Sequence, residues 1–296
     1  MNLADERRLR LRIMDALAEA ALRSGGEVSH RQLDALDIGG GQVRRVRDTS
    51  RGIWNPQDLA ATLSIVSSPT GPYDDSEVVD GLFHYAYRAG SLDGDNAKLR
   101  AAIDQQLPLI LLRKLGPGRY LPVMPVYAVF DDAPRRRFLI ALDENLRFLA
   151  NSVDLSPLER RYAERLVQQR LHQPEFRARV IHAYQTRCAV CTLRHGDLLD
   201  AAHIIGDTLG AGDPLVTNGL SLCKIHHAAY DRNLLGISPG YTVHINQRLL
   251  DEIDGPMLEH GLKGMHDRSL TVPDRKAERP DRDRLAIRFQ SFLAAS

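Results

Sequence analysis

Apolar residues recur at helical spacing from Leu9 to Leu22, and the pattern stops at Gly25-Gly26, a pair that ends helices. Gly39-Gly40-Gly41 breaks the chain again ahead of a cluster of arginines. From Leu63 to Asp143 the period changes. The runs LSIVSS, GLFHYAYR, LPLILLRKL, MPVYAVF and RFLIALD are apolar or alternating, are divided by proline and glycine turns, and predict a β-rich region. One helix, Asn96 to Gln106, interrupts it. Ser156-Pro157-Leu158-Glu159 is a capping box with proline at the first helical position, and it predicts a helix through Leu171. Another helix, from Pro174 through Tyr184, leads directly into a cysteine pair. Beyond it, Leu198 to Ile205 is strand-like, Asn218-Gly219 is a hairpin-turn dipeptide followed by a second apolar run, and the segment after Cys223 is helical. The stretch Pro273 to Arg284 reads as loop before a last helix, Leu285 to Leu293. These elements predict an α+β protein of two domains, residues 1–152 and 153–296, with no internal repeat.

Composition narrows the class without fixing it. A length of 296 residues suits two domains of about 100 to 200 residues each. With 43% hydrophobic and 26% charged residues, disorder, collagen and coiled coil are excluded as the main theme. No apolar run is long enough for a membrane span, and the first residues alternate charge with apolar positions, unlike a secretory signal, so a cytoplasmic protein without a membrane partner is expected. Three cysteines are an odd number for a disulfide framework, and in a reducing compartment they would act as thiolates. The net charge of +1 gives no overall sign of a nucleic-acid partner, yet Leu155 to His195 holds eight arginines against three acids. Arg44, Arg45, Arg47 and Arg51 form a second basic cluster around Asp48.

All three cysteines fall in one arrangement, Cys188-Ala189-Val190-Cys191 and then Cys223-Lys224-Ile225-His226. Each C-x-x-C or C-x-x-H knuckle offers two ligands from a tight turn, and two knuckles make the four tetrahedral N/S donors of a closed structural zinc site. The gap of 32 residues between the halves, 223 minus 191, leaves room for an insertion. That insertion runs Leu198-Leu199-Asp200-Ala201-Ala202-His203-Ile204-Ile205, then Asn218-Gly219-Leu220-Ser221-Leu222, and the helix after it carries His226-His227-Ala228-Ala229-Tyr230-Asp231.

Strand, strand, helix with His, Asn and His in this order resembles the HNH endonuclease family and its ββα-metal finger, over roughly Phe176 to Leu235. The resemblance implies DNA cleavage with Mg²⁺ or a similar divalent cation. Phosphodiester hydrolysis needs a base to activate water and a cation to stabilise charge on the phosphate. His203 is the expected base, since a neutral imidazole is available near pH 7. Adjacent His226 and His227 point about 100° apart on a helix, so one can face the zinc and the other the catalytic cation. Asn218 is expected to brace the hairpin and orient the base. Many relatives place an acid just before the first histidine; here Ala202 stands there and Asp200 is the nearest acid. Strand alternation puts Asp200 and His203 on opposite faces unless a bulge intervenes, which leaves Asp200 as either a cation ligand or an orienting group. Asp231 can orient His227 or sit on the surface. His172, His182 and His244 are expected on the surface or in packing.

The first domain would then choose the target. Gly71-Pro72-Tyr73-Asp74-Asp75, Val79 to Gly90, Asn96, Arg100, Pro108 to Arg113 and Gly118 to Val123 resemble in order the SRA (SET- and RING-associated) domain, which holds a flipped modified cytosine. The resemblance implies a twisted sheet or barrel, with Tyr73 and Tyr85, or Tyr87, stacking on the base, and Asp74 or Asp75 reading its edge. An aromatic stripe at period two is also what a core strand shows. Arg44, Arg45, Arg47 and Arg88 suit phosphate contacts. SRA-like followed by HNH is an arrangement of bacterial modification-dependent restriction endonucleases, so double-stranded DNA carrying 5-methylcytosine is the expected partner. An HNH nuclease for an unmodified sequence or another mark, such as phosphorothioate, and a non-catalytic zinc-stabilised reader are the competing expectations. Cutting both strands needs two active sites or two visits, which a homodimer would supply.

Overall fold

The computed structural model describes residues 1–68, 78–79, 82–87, 94–151, 157–206 and 215–295. They form two compact units, Met1–Leu22 with Gly26–Pro174, and Arg23–Gly25 with Glu175–Ser296.

The first unit opens with α1 (Leu3–Arg23), where the Asn2 side chain accepts the Asp5 N–H at 2.8 Å as an N-cap. β1 (Val28–Ser29), α2 (His30–Asp34), β2 (Leu36–Asp37), β3 (Val43–Arg44) and β4 (Ile53–Trp54) follow, then β5 (Ser64–Ser67), β6 (Val78–Val79) and β7 (Leu82–Ala86). Beyond α3 (Asp95–Asp104) the long strands β8 (Leu109–Gly116) and β9 (Arg119–Asp132) and the shorter β10 (Arg137–Ala141) complete the sheet. Eight strands pair in the order β4-β5-β8-β9-β10-β7-β6, with β1 on β9; only β5 and β8 are parallel. The path is open, with β4 and β6 at its ends, so among the described residues the sheet does not close into the expected barrel. α4 (Pro157–Val167) ends in a π-helical turn, Gln168–His172, and the capping-box residue Ser156 lies outside the described residues.

Ile13 and Leu17 of α1 pack on Val28, Ile110 and Leu112, all buried. A guanidinium also enters this core. Arg10 is 0% exposed and donates to Glu6 at 2.7 and 3.0 Å and to the carbonyls of Ala61, Thr62 and Pro108 at 2.7–2.8 Å. Glu6 in turn accepts the Ala60 N–H at 2.9 Å. Burial lowers the Arg10 pKa and Glu6 opposes that shift, so the pair is held together by full hydrogen bonding in a site where either charge alone is costly. Glu6→Ala leaves that charge uncompensated and should destabilise the first unit by about 3–5 kcal/mol. Urea unfolding followed by a probe in this unit measures it, and a loss below about 1 kcal/mol contradicts the account.

The second unit begins within α5 (Gln173–Ala183) and continues through β11 (Leu199–His203), β12 (Gly219–Cys223), α6 (Lys224–Asp231), β13 (Leu235–Ile237), β14 (Val243–Ile245), α7 (Gln247–Asp251), α8 (Pro256–Gly261) and α9 (Arg282–Ala295). β11 and β12 pair antiparallel with Leu199 opposite Cys223 and His203 opposite Gly219. That register corrects the reading of Asn218-Gly219 as a hairpin turn: the connection runs through residues 204–218, and Gly219 already belongs to the strand. Gly219 is required for another reason. A Cβ there would come within 2.4 Å of Val180 Cγ2 and 2.9 Å of Phe176 Cζ, so only glycine lets α5 lie against β12. Among the described residues no helix is long and apolar enough to cross a membrane.

Candidate active site

The first cysteine pair follows α5 on a tight loop in which the Thr192 N–H donates to the Cys188 carbonyl at 2.9 Å and the Cys188 N–H to the Leu193 carbonyl at 3.0 Å. The Ala189 N–H docks this knuckle onto the Ser221 carbonyl of β12 at 2.7 Å. Cys223 ends β12, and His226 lies in the first turn of α6. The local turn and the strand-to-helix junction thus deliver two donors each. Their ligand atoms all lie within 4.8 Å of one another. From His226 Nδ1 it is 3.1 Å to Cys223 Sγ and 3.5 Å to Cys188 Sγ, and Cys191 Sγ lies 4.0 Å from Cys223 Sγ. Tetrahedral bonds of about 2.3 Å to sulfur and 2.0 Å to nitrogen separate ligands by roughly 3.5–3.8 Å, so donor set and spacing fit zinc.

Proton positions support the same fit. His226 Nε2 lies 2.7 Å from the Gly261 carbonyl, which can only accept; Nε2 therefore carries a proton and Nδ1 faces the sulfurs. Burial opposes a charge on His226, but hydrogen bonds and charges of Cys188 and Cys223 outweigh it and push its pKa up to about 10. The Cys223 thiol is pushed well down by hydrogen bonds from Cys188 and Cys191. Hydrogen bonds to Cys188 and Cys223 push the Cys191 thiol up in turn, and a bound cation would favour the thiolate form of all three.

Above this centre stands the hairpin. His203 closes β11, and its ring stacks on Phe176 with centroids 4.0 Å apart and planes at 12°. Asn218 is fully buried. Its side chain accepts the Ile205 N–H and donates to the Ile205 carbonyl, both at 2.9 Å, while its own carbonyl takes the Ile204 N–H at 2.9 Å. The backbone leaving His203 is therefore pinned at the next two residues.

His227, beside His226, is half-buried with Nδ1 3.8 Å from Asp200 and Nε2 3.4 Å from Asp231. Hydrogen bonding to Asp200 raises its pKa against the effect of burial, aided by the charge of Asp231. β11 does not alternate cleanly: Leu199 and Ala202 are buried while Asp200, Ala201 and His203 are half-exposed. Asp200 reaches across to α6 and α5, where Lys224 and Arg177 pair with it, the latter at 3.1 Å. His227 first, then Lys224 and Arg177, hold its carboxyl well below the usual range against the cost of burial. Asp200 Oδ2 thus lies 3.8 Å from His227 Nδ1. Among the described residues the Cys/His group is where three or more such donors converge, and Asp200, His203 and His227 do not share that spacing. Sequence reasoning missed Phe176, Arg177 and the Gly261 carbonyl. Arg177, which also donates to the Leu199 carbonyl at 2.7 Å, had been counted only within a basic stretch.

In the first unit, Tyr73, Asp74, Asp75 and Arg88 lie outside the described residues. Tyr85 is 0% exposed and its hydroxyl donates to the Gly52 carbonyl at 2.7 Å, so its ring sits in the core and not as an open stacking plate. Tyr87 is also buried, hydrogen-bonded to Asp131, with Arg100 and Arg136 near its ring at 5.8 and 5.9 Å. Of the arginines expected at phosphates, Arg44 pairs with Asp58 at 2.6 Å and Arg47 with Asp34 at 3.0 Å. Arg47, mostly buried, is a structural residue; Arg45 is exposed and lies over Trp54. His244 packs against Phe289 and His266 rather than standing alone.

Residues 188–238 match the HNH endonuclease family, so the second unit carries an HNH endonuclease domain with a Cys₃His group able to hold a metal. Two of the solved structures similar to the chain are restriction endonucleases. The modification-dependent TagI restriction endonuclease is 18% identical over 88% of this chain and 89% of its own, with a TM-score of 0.30. The Type IV phosphorothioation-dependent restriction endonuclease ScoMcrA is 17% identical over 58% of this chain and 48% of its own, with a TM-score of 0.22. No curated protein matches the chain.

Proposed function

We propose that this protein is a modification-dependent DNA endonuclease, with residues 1–152 reading 5-methylcytosine and residues 153–296 cutting, and that it acts in the cytoplasm on foreign modified DNA. The observation that carries the cutting half is the HNH hairpin and helix built on the Cys₃His group, with His203, Asn218 and His227 each held in place by named partners. Zinc at Cys188, Cys191, Cys223 and His226 would fix α6 against the hairpin. His203 would take the proton from the attacking water, its ring plane set by Phe176. His227 would present Nε2, on its Asp231 side, towards a divalent cation such as Mg²⁺, with Asp200 beside Nδ1 orienting the ring. That cation would supply charge stabilisation at the phosphate and leaving oxygen.

The reading half rests on the SRA-like order of residues in the first unit. On that resemblance, base contacts are assigned to Tyr73 and Tyr85, or Tyr87, as plates, to Asp74 or Asp75 at the base edge, and phosphate contacts to Arg45 and Arg88. Because Tyr85 and Tyr87 are buried and hydrogen-bonded, a second reading is favoured alongside: an HNH nuclease whose first unit recognises an unmodified sequence or another mark. One digest decides. Plasmid DNA that is unmodified, cytosine-methylated or phosphorothioated is incubated with Mg²⁺ and the ends are mapped. Cutting confined to methylated DNA is expected. Equal cutting of all three sinks the methylcytosine reading, cutting of phosphorothioated DNA alone establishes the second, and no cutting of any leaves a non-catalytic binder.

A further inference from the structure

The first unit holds a cavity of about 440 Å³ between α1, β3 and β4. That volume lies within the range of about 300–1,000 Å³ usual for small-molecule sites. Tyr85 and Tyr87, the described tyrosines of the modified-base reader proposed above, are not among its lining residues. Its floor is apolar and buried, from Ile13, Leu59 and Leu63. One wall is Trp54, whose indole N–H donates to the Arg45 carbonyl at 3.0 Å and so sets the plane of the ring. The Arg45 guanidinium stands 5.7 Å from the ring centroid, and Arg44 is fixed at the rim by Asp58 at 2.6 Å. Gln57, exposed at the same rim, offers an amide that can both donate and accept.

We propose that this cavity binds a nucleobase together with its phosphate, with Trp54 as the stacking plate and Arg45 at the phosphate. A flat aromatic plate over an apolar floor takes the face of a base, and base–aromatic stacking tolerates any base because each has a π-face. The exposed Arg45 guanidinium at the mouth matches a phosphate, while Arg44 stays with Asp58, and the Gln57 amide can meet the base edge. The nucleotide can come from an unstacked position in the DNA, in which case the inference rests on the DNA reading above, or from a free nucleoside monophosphate, in which case it stands independently.

Trp54 is the single tryptophan of the chain, so its fluorescence reports this site alone. The full-length protein is titrated with dAMP, with inorganic phosphate, and with a DNA duplex carrying one unpaired nucleotide. Saturable quenching by dAMP, or by the duplex but not by its fully paired counterpart, is expected. Val43→Phe at the exposed mouth and Arg45→Gln should each raise the half-saturating concentration about tenfold, the scale of one lost stacking contact. Quenching by dAMP assigns the free nucleotide, and quenching by the unpaired duplex alone assigns the DNA. Equal quenching by inorganic phosphate overturns the base component, and no quenching by any probe overturns the proposal even where plasmid cleavage is intact. Quenching in a protein that cuts no DNA sinks the nuclease reading and leaves this site standing.

Discussion

Replacing His203 by alanine should slow DNA cleavage by about 10²- to 10⁴-fold, the contribution of a positioned general base. DNA binding, bound zinc and the melting temperature should stay close to those of the parent protein. The separation follows from where the side chain sits. His203 is half-exposed and its ring stacks on Phe176 at the margin of the core built from Phe176, Val180, Ile181, Leu199, Leu220, Leu222 and Tyr230. The hairpin is held by other groups, namely Asn218 on the backbone of Ile205 and the β11–β12 register. Truncation removes the imidazole and leaves those bonds intact. Single-turnover cleavage of saturating methylated DNA with Mg²⁺ isolates the chemical step from binding. A loss under about threefold would remove His203 from the base role, because a general base contributes far more than that. A loss of binding in parallel with cleavage would reassign it to holding the DNA.

What could be read from the sequence is what depends on neighbours along the chain. The C-x-x-C and C-x-x-H knuckles are turns of four residues, so their convergence into one site needed only the assumption that the hairpin brings them together. Helix and strand periods placed α1, β8, α5 and α9 within a few residues. Partners set by packing stayed hidden. Nothing near His226 in sequence announces the Gly261 carbonyl 35 residues on, and Phe176 reads as an apolar position of α5 until the fold lays it on His203. Local charge counting failed in the same way: Arg44 and Arg47 stood out as a basic cluster because their partners Asp58 and Asp34 lie 14 and 13 residues away. Glu6 and Arg10 were legible in principle, as an i, i+4 pair on the face of α1 that also carries Ile13 and Leu17. Charges on an apolar face ask for a partner.

Removing the metal should unfold the second unit and not merely silence it. Three donors of the Cys₃His group, Cys188, Cys223 and His226, are buried, and two of them lie within its hydrophobic core. The elements that carry them are weak alone: α6 has eight residues, and β11–β12 is an isolated two-stranded ribbon of five residues each. Without a cation, the lowered Cys223 thiol places thiolate charge in this pocket with only His226 to offset it. Structural zinc contributes about 10–16 kcal/mol in small zinc-dependent folds near neutral pH, more than a domain of this size holds in reserve. Cys188→Ser, or a strong chelator on the parent protein, should therefore abolish the thermal transition of the second unit, while the first, with its own core around α1, keeps its transition. Metal analysis should find one zinc per chain. Mg²⁺ added after chelation should restore nothing, and Zn²⁺ followed by Mg²⁺ should restore both the transition and cleavage. If chelation leaves the melting curve unchanged, the Cys₃His group does not hold a metal that the fold of the second unit depends on.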